Sequence, residues 1–234
     1  MFEAKNAFVG ALLVLRKFTL FNIKFYAETE ESDYSFAVFL LPLLGLLIGL
    51  GSLAISFLKF IYEPMFAGAL LLIYYCIITK SSNIKDTYKT INIVINANEE
   101  SKQFYSIISL VALCILYFVL FSISSITAVS LMPMVGFSNL IIQALIIKRD
   151  KSSVPILKYS TRNHSIFAFF FSFIITIIIN YRMSISLSLT YIISSLVMDY
   201  FDSKIKILPS SIEGFTIEIS QILFLIISYM SHLF

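Results

Sequence analysis

Tryptophan is absent from this chain of 234 residues, and glycine (7), proline (5), histidine (2) and cysteine (2) are all sparse. Two cysteines inside apolar runs, Cys76 and Cys114, exclude a disulfide framework and a thiolate metal site, and read as small buried hydrophobes. His164 and His232 have no ligand partner at useful spacing, so no metal site is predicted from side-chain spacing. Charge is scarcest of all: Asp, Glu, Lys and Arg make up 13% of the residues against 59% hydrophobic. Ordinary soluble domains carry about 25% charged and about 45–50% apolar residues. That excess cannot be enclosed in one aqueous core, and a net charge of +3 offers no nucleic-acid footprint. Without tryptophan, the 13 tyrosines must supply most of any interfacial aromatic belt.

The apolar residues fall in long charge-free windows, and a lipid-facing charge is costly at mid-bilayer. The windows are Tyr34–Leu58, Pro64–Thr79, Gln103–Ile147, Asn163–Tyr181, Met183–Met198 and a last one, charge-free but for Glu218, from near Ile217 to Phe234. The third is 45 residues long, enough for two spans, and Met132-Pro133-Met134 is the expected division. The runs are continuously apolar rather than alternating, which excludes strands of a membrane barrel. The predicted fold is therefore an all-α polytopic bundle of about seven membrane segments, forming one integral membrane domain over residues 1–234. An amphipathic helix at about Ala4–Leu20 lies at the interface or joins the bundle. Phe2–Tyr26 mixes charges with apolar residues and lacks a cleavage site, so no cleavable signal is expected.

Basic residues suggest an orientation. With a cytoplasmic N-terminus, segments 1–35, 80–103, 148–164 and 199–216 hold 4, 4, 5 and 2 Lys/Arg, leaving only Lys59 and Arg182 outside. A multi-pass protein of the cell membrane is the expectation. The loop Lys148–His164 is rich in basic residues; a headgroup-facing loop and a phosphate-bearing ligand both explain it. Asn139 and Gln143 share a helix face, where they serve either hydrogen bonding between helices or a substrate path.

Three stretches resemble one family. Leu15-Arg16-Lys17-Phe18 is similar to a Leu-Thr-Arg-Leu-Pro-like segment. Phe39–Gly49, with Pro42, Gly45 and Gly49, resembles a Phe-Pro-x-x-Gly-x-x-x-Gly pattern. Gly214-Phe215-Thr216-Ile217-Glu218 followed by Gln221 resembles a Gly-Ala-x-x-Glu-x-x-Glu ending. In this order and separation they resemble the cobalamin synthase family, adenosylcobinamide-GDP ribazoletransferase. The resemblance implies a membrane transferase of cobalamin biosynthesis that joins α-ribazole to adenosylcobinamide-GDP, releases GMP and uses Mg²⁺. It also implies company with other cobamide assembly proteins in the membrane.

The family's Thr-Gly-Gly-x-His-Leu-Asp-Gly-Leu-Ala-Asp-Thr-x-Asp-Gly run falls here on Thr79–Ile93. Thr79 and Thr90 match, Asn83 stands at the histidine, and Lys85, Lys89 and Asn92 stand at the three aspartates. Ser210-Ser211 replace a Gly-Asp, and Gln221 a second glutamate, while Glu218 is retained. The resemblance thus leaves Glu218 and Thr90 as candidate catalytic positions, and no metal ligands. Two ammonium groups would repel Mg²⁺ but can hold a phosphate directly, which makes Lys85 and Lys89 candidate phosphate-binding residues. A snorkelling interfacial helix explains the same lysines. The substitutions predict impaired or altered transfer chemistry. The rival readings are a catalytically inactive membrane partner or regulator of cobamide assembly, and a small membrane transporter.

Overall fold

The computed structural model describes residues 2–21, 23, 29–95, 99–145, 158–204 and 209–231. Among these the elements are helices: α1 (Phe2–Phe18), α2 (Glu31–Ser56) continued by a 3-10 turn (Phe57–Phe60), α3 (Pro64–Ile78), α4 (Ser82–Ile95), α5 (Glu99–Ile123), α6 (Ile126–Gln143), α7 (Arg162–Asn180), α8 (Met183–Lys204) and α9 (Ile212–Ser231). Six helices are each long and apolar enough to cross a membrane, and α3 with α4 forms a further candidate span bent by 85°. The all-α membrane bundle read from the sequence is what the chain forms.

Helix α6 is the hub. Its residues Ala128–Ile141 are buried along their whole length, enclosed mainly by α2, α7 and α9. Around it the outer faces stay apolar: Ile178 on α7 is 72% exposed and Leu196 on α8 is 65% exposed. Such side chains are tolerable only against lipid, where the outer face of a bundle is as apolar as its core. The N-terminal helix joins the bundle, with Val9, Val14 and Phe18 buried and the Phe18 ring edge-on to Phe137 at 5.1 Å.

Three expected boundaries are corrected. The 45-residue window divides at Ser124-Ser125, and Met132-Pro133-Met134 lies inside α6. Ser125 is the N-cap of α6, its Oγ accepting the Ala128 N–H at 3.2 Å, so the polar pair supplies a helix start that Pro133 does not. Pro133 is tolerated mid-helix because α2 packs directly over it. The last helix starts at Ile212, earlier than the expected Ile217, since Glu213 and Thr216 find partners inside the bundle. Helix α8 likewise runs on past Met198 to Lys204.

Close helix contact is built on glycine. A Cβ added to Gly49 would lie 2.0 Å from the Ser130 carbonyl oxygen, and one on Gly45 2.6 Å from Met134 Cα. The Pro42/Gly45/Gly49 spacing is therefore the seam along which α2 meets α6 backbone to backbone.

Candidate functional site

Helix α4 is the element that makes a site. It carries Lys85, Asp86 and Lys89 within five residues, too much charge for lipid, and we read it as lying outside the crossing segments. The face it turns to the bundle is polar: Asn83, Thr87 and Thr90, spaced i, i+4, i+7, are buried. It docks on the start of α9 at Gly214, where a Cβ would fall 2.6 Å from Asp86 Cβ and 3.0 Å from Asn83 Cα. Thr90 Oγ1 and Ser211 Oγ, 2.8 Å apart, fix the other end of that contact.

The sharp turn between α3 and α4 has unusual backbone. Lys80 and Ser81 take φ of 53° and 51°, two consecutive non-glycine residues in the left-handed region. Each costs roughly 1–2 kcal/mol relative to glycine-compatible backbone. Glycine is the residue that such backbone ordinarily favours.

Between α4 and the approach to α9 lies a groove of about 380 Å³ lined by Lys89, Asn92, Ile93, Pro209, Ser210 and Ser211. Lys89 is exposed at its edge. The Asn92 amide is buried and donates from Nδ2 to Ser106 Oγ at 2.5 Å, and its Oδ1 has no partner among the described residues. Behind the groove Lys17 donates to Glu213 in an ion pair, beside Asp86. Burial pushes the Asp86 carboxyl above its ordinary range, and Lys89 and Lys17 pull it partly back.

The expected site residues thus separate. Lys89 lines the groove and Thr90 fastens its wall, while Lys85 is exposed on α4 without lining the groove. Glu218 lies seven residues beyond Ser211 along α9, about 10 Å deeper at 1.5 Å per residue. It is fully buried between α3 and α5, where Tyr75 Oη lies 2.5 Å from Oε1 and Tyr117 Oη contacts Oε2. Sequence reading missed both tyrosines, which sit in apolar runs with nothing to mark them. It also missed Glu213, the partner of Lys17. Asn139 and Gln143 join three helices: Asn139 Nδ2 donates to Ser194 Oγ (2.7 Å) and Ser220 Oγ (2.6 Å), and Gln143 Nε2 to Asn139 Oδ1 (2.9 Å). Lys148, Arg149 and Lys151 of the basic loop, and His232, lie outside the described residues.

The donor set does not fit a resident Mg²⁺. Such an ion takes oxygen ligands, usually carboxylates and substrate phosphates. Of the described carboxylates, Asp86 stands on α4 and Glu213 at the start of α9, and Glu213 is already paired with Lys17. Among the described residues no group of three or more His, Cys, Asp or Glu side chains could hold a metal ion. Comparison with known protein families, curated proteins and solved structures finds no match.

Proposed function

We propose that the chain is a divergent membrane protein of the cobalamin synthase type that binds a phosphorylated ligand in the α4–α9 groove and does not perform the standard Mg²⁺-dependent transfer. The observation that carries this reading is spatial. Thr90 and Gly214, which match the resembled pattern, and Lys89, Asn92 and Ser210-Ser211, which stand at its substituted positions, come from two separate stretches and border one groove and its wall. The left-handed turn at Lys80-Ser81 supports it further, because a glycine pair is what that backbone calls for.

The chemistry follows from what replaced the aspartates. Phosphoryl transfer relies on neutralising charge as it develops on phosphate oxygens, and carboxylate-held Mg²⁺ is one way of doing so. A single flexible ammonium binds phosphate as a point charge, yet supplies no octahedral template to align an attacking hydroxyl with a leaving group. Binding is retained in this arrangement and turnover is not. The protein then acts as a partner or regulator beside other cobamide assembly proteins.

Two measurements test this. Purified protein given Mg²⁺, adenosylcobinamide-GDP and α-ribazole is expected to form no cobamide above a protein-free control, and robust GMP release overturns the reading. Binding of adenosylcobinamide-GDP is expected to survive EDTA. It should weaken by roughly 10- to 100-fold in Lys89→Ala, the equivalent of about 1.5–3 kcal/mol for a charge-assisted hydrogen bond. Ligand that binds only with Mg²⁺, or equally well without Lys89, would show that the ammonium is not the phosphate-binding group.

A further inference from the structure

Among the described residues Glu218 is the least exposed acid, and the groove does not use it. Its side chain is 0% exposed, and among the described residues no basic side chain forms an ion pair with it. A charge in such surroundings is costly, so an ionisable residue buried between membrane helices calls for a partner that neutralises it. Among the described residues, the elements around it supply no cation. Helix α3 presents Tyr75 and Cys76, α5 presents Tyr117 and Cys114, and α4 presents Asn83. Across from Gln221, α6 presents Gly136, and the nearest acid on α9 itself, Glu213, is held by Lys17.

The oxygen–oxygen separations constrain what neutralises it. Tyr75 Oη lies 2.5 Å from Glu218 Oε1 and 2.6 Å from Gln221 Oε1, while Tyr117 Oη contacts Glu218 Oε2 and lies 3.2 Å from Gln221 Oε1. Tyr75 has one hydroxyl proton for two acceptors. With Glu218 ionised, one of those two short contacts would be oxygen against oxygen with no proton between. Separations of 2.5 and 2.6 Å also leave no space for a metal ion among these oxygens. Turning the Gln221 amide over would let Nε2 donate to Tyr75. It would then leave Oε1 at the buried position where Nε2 now has no partner, and the carboxylate would keep its charge.

One added proton completes the pattern. The geometry points to an intramembrane proton-binding site: Glu218 O–H donates to Tyr75 Oη, Tyr75 O–H donates to Gln221 Oε1, and Tyr117 O–H donates to Glu218 Oε2. The ligand of this site is a proton, and its loss leaves an unpaired charge between α3, α5 and α9. The inference rests on the packing of those three helices and stands or falls apart from any ligand in the groove.

Infrared difference spectroscopy on protein in lipid nanodiscs at neutral pH tests it, comparing the unaltered chain with Glu218→Gln. The expected result is a carboxylic C=O stretch lost in Glu218→Gln, shifted in Tyr75→Phe, and unmoved by added Na⁺ or Li⁺. Carboxylate stretching bands in its place overturn the proposal, as does loss of the carboxylic band when Na⁺ is added. If Glu218→Gln fails to fold, Tyr75→Phe in ¹³C-glutamate-labelled protein gives the same decision: a labelled carboxylic band that moves supports the site, and labelled carboxylate bands alone refute it.

Discussion

At the scale of single residues, Lys80 and Ser81 carry strain that glycine would relieve. A left-handed L-residue costs about 1–2 kcal/mol, and glycine's greater loss of chain entropy on folding takes back about 0.5–1 kcal/mol. Lys80→Gly and Ser81→Gly are each expected to stabilise the protein by about 0.5–1 kcal/mol in detergent unfolding experiments, against the usual direction of glycine substitutions. Destabilisation by both would mean that the turn does not hold this backbone. Asp86 offers a pH-dependent counterpart. Its carboxyl is raised because burial outweighs the pull of Lys89 and Lys17. The folded state therefore binds the proton more tightly than the unfolded chain. The stability this contributes is present below the ordinary carboxyl range and is lost as pH rises through the raised value. Asp86→Asn should accordingly leave the thermal midpoint unchanged well below the ordinary carboxyl range, at about pH 3, and raise it at about pH 8. A midpoint lowered at pH 8 would show that the attraction of the lysines dominates instead.

At the scale of helices, the α2–α6 seam is the feature most sensitive to volume. A methyl group on Gly49 would collide with a backbone carbonyl, which cannot rotate aside as a side-chain end can. Gly49→Ala is expected to destabilise by about 1–3 kcal/mol, the range for overpacking. Leu47→Ala, two residues away at a position 62% exposed to the surroundings, should change stability by no more than about 0.5 kcal/mol. Equal effects would mean that the helices do not meet along the glycines. The sequence showed Pro42, Gly45 and Gly49 at helical spacing within an apolar run, but not that this face meets α6. The α5–α6 break was not legible, because proline is the stronger breaker in water. In a bundle, packing absorbs Pro133, and a serine cap sets the boundary. Nor were Tyr75 and Tyr117 legible as partners of Glu218. They come from helices far apart in sequence, and nothing in either apolar run distinguishes a tyrosine facing lipid from one facing an acid. The groove was half legible: Lys89 and Thr90 were read as candidates, whereas Ser210 joining them depends on how α4 folds back across the start of α9.

At the scale of the whole molecule, the bundle sorts its loops into two ends without reference to any membrane. Lys59 Nζ donates to the Ser124 carbonyl at 2.7 Å, which joins the α2–α3 turn to the α5–α6 turn. Ser186 and Ser231, 3.2 Å apart, bring the start of α8 to the end of α9. Helix α9 runs antiparallel to α6, since Gln221 faces Gly136 and Ser220 faces Asn139. Ser231 and the α7–α8 turn with Arg182 therefore lie at the Lys59 end. The opposite end gathers Lys17 with Glu213, Lys80 against the Arg16 carbonyl, and Lys85 and Lys89 on α4. If basic residues face the cytoplasm, that second end is the cytoplasmic one, and the groove opens there. In a background where Cys76 and Cys114 are replaced by serine, Lys59→Cys and Arg182→Cys are expected to react with a membrane-impermeant thiol reagent in intact cells. Lys85→Cys should react only after permeabilisation. The reverse pattern would place the groove outside, beyond reach of cytoplasmic nucleotide-bearing substrates, and with it the proposed ligand would have to be abandoned. Lys59 and Lys85 both reacting from outside would instead mean that α3 and α4 form a re-entrant pair. The short helix and its 85° bend would then return the chain to the side it came from.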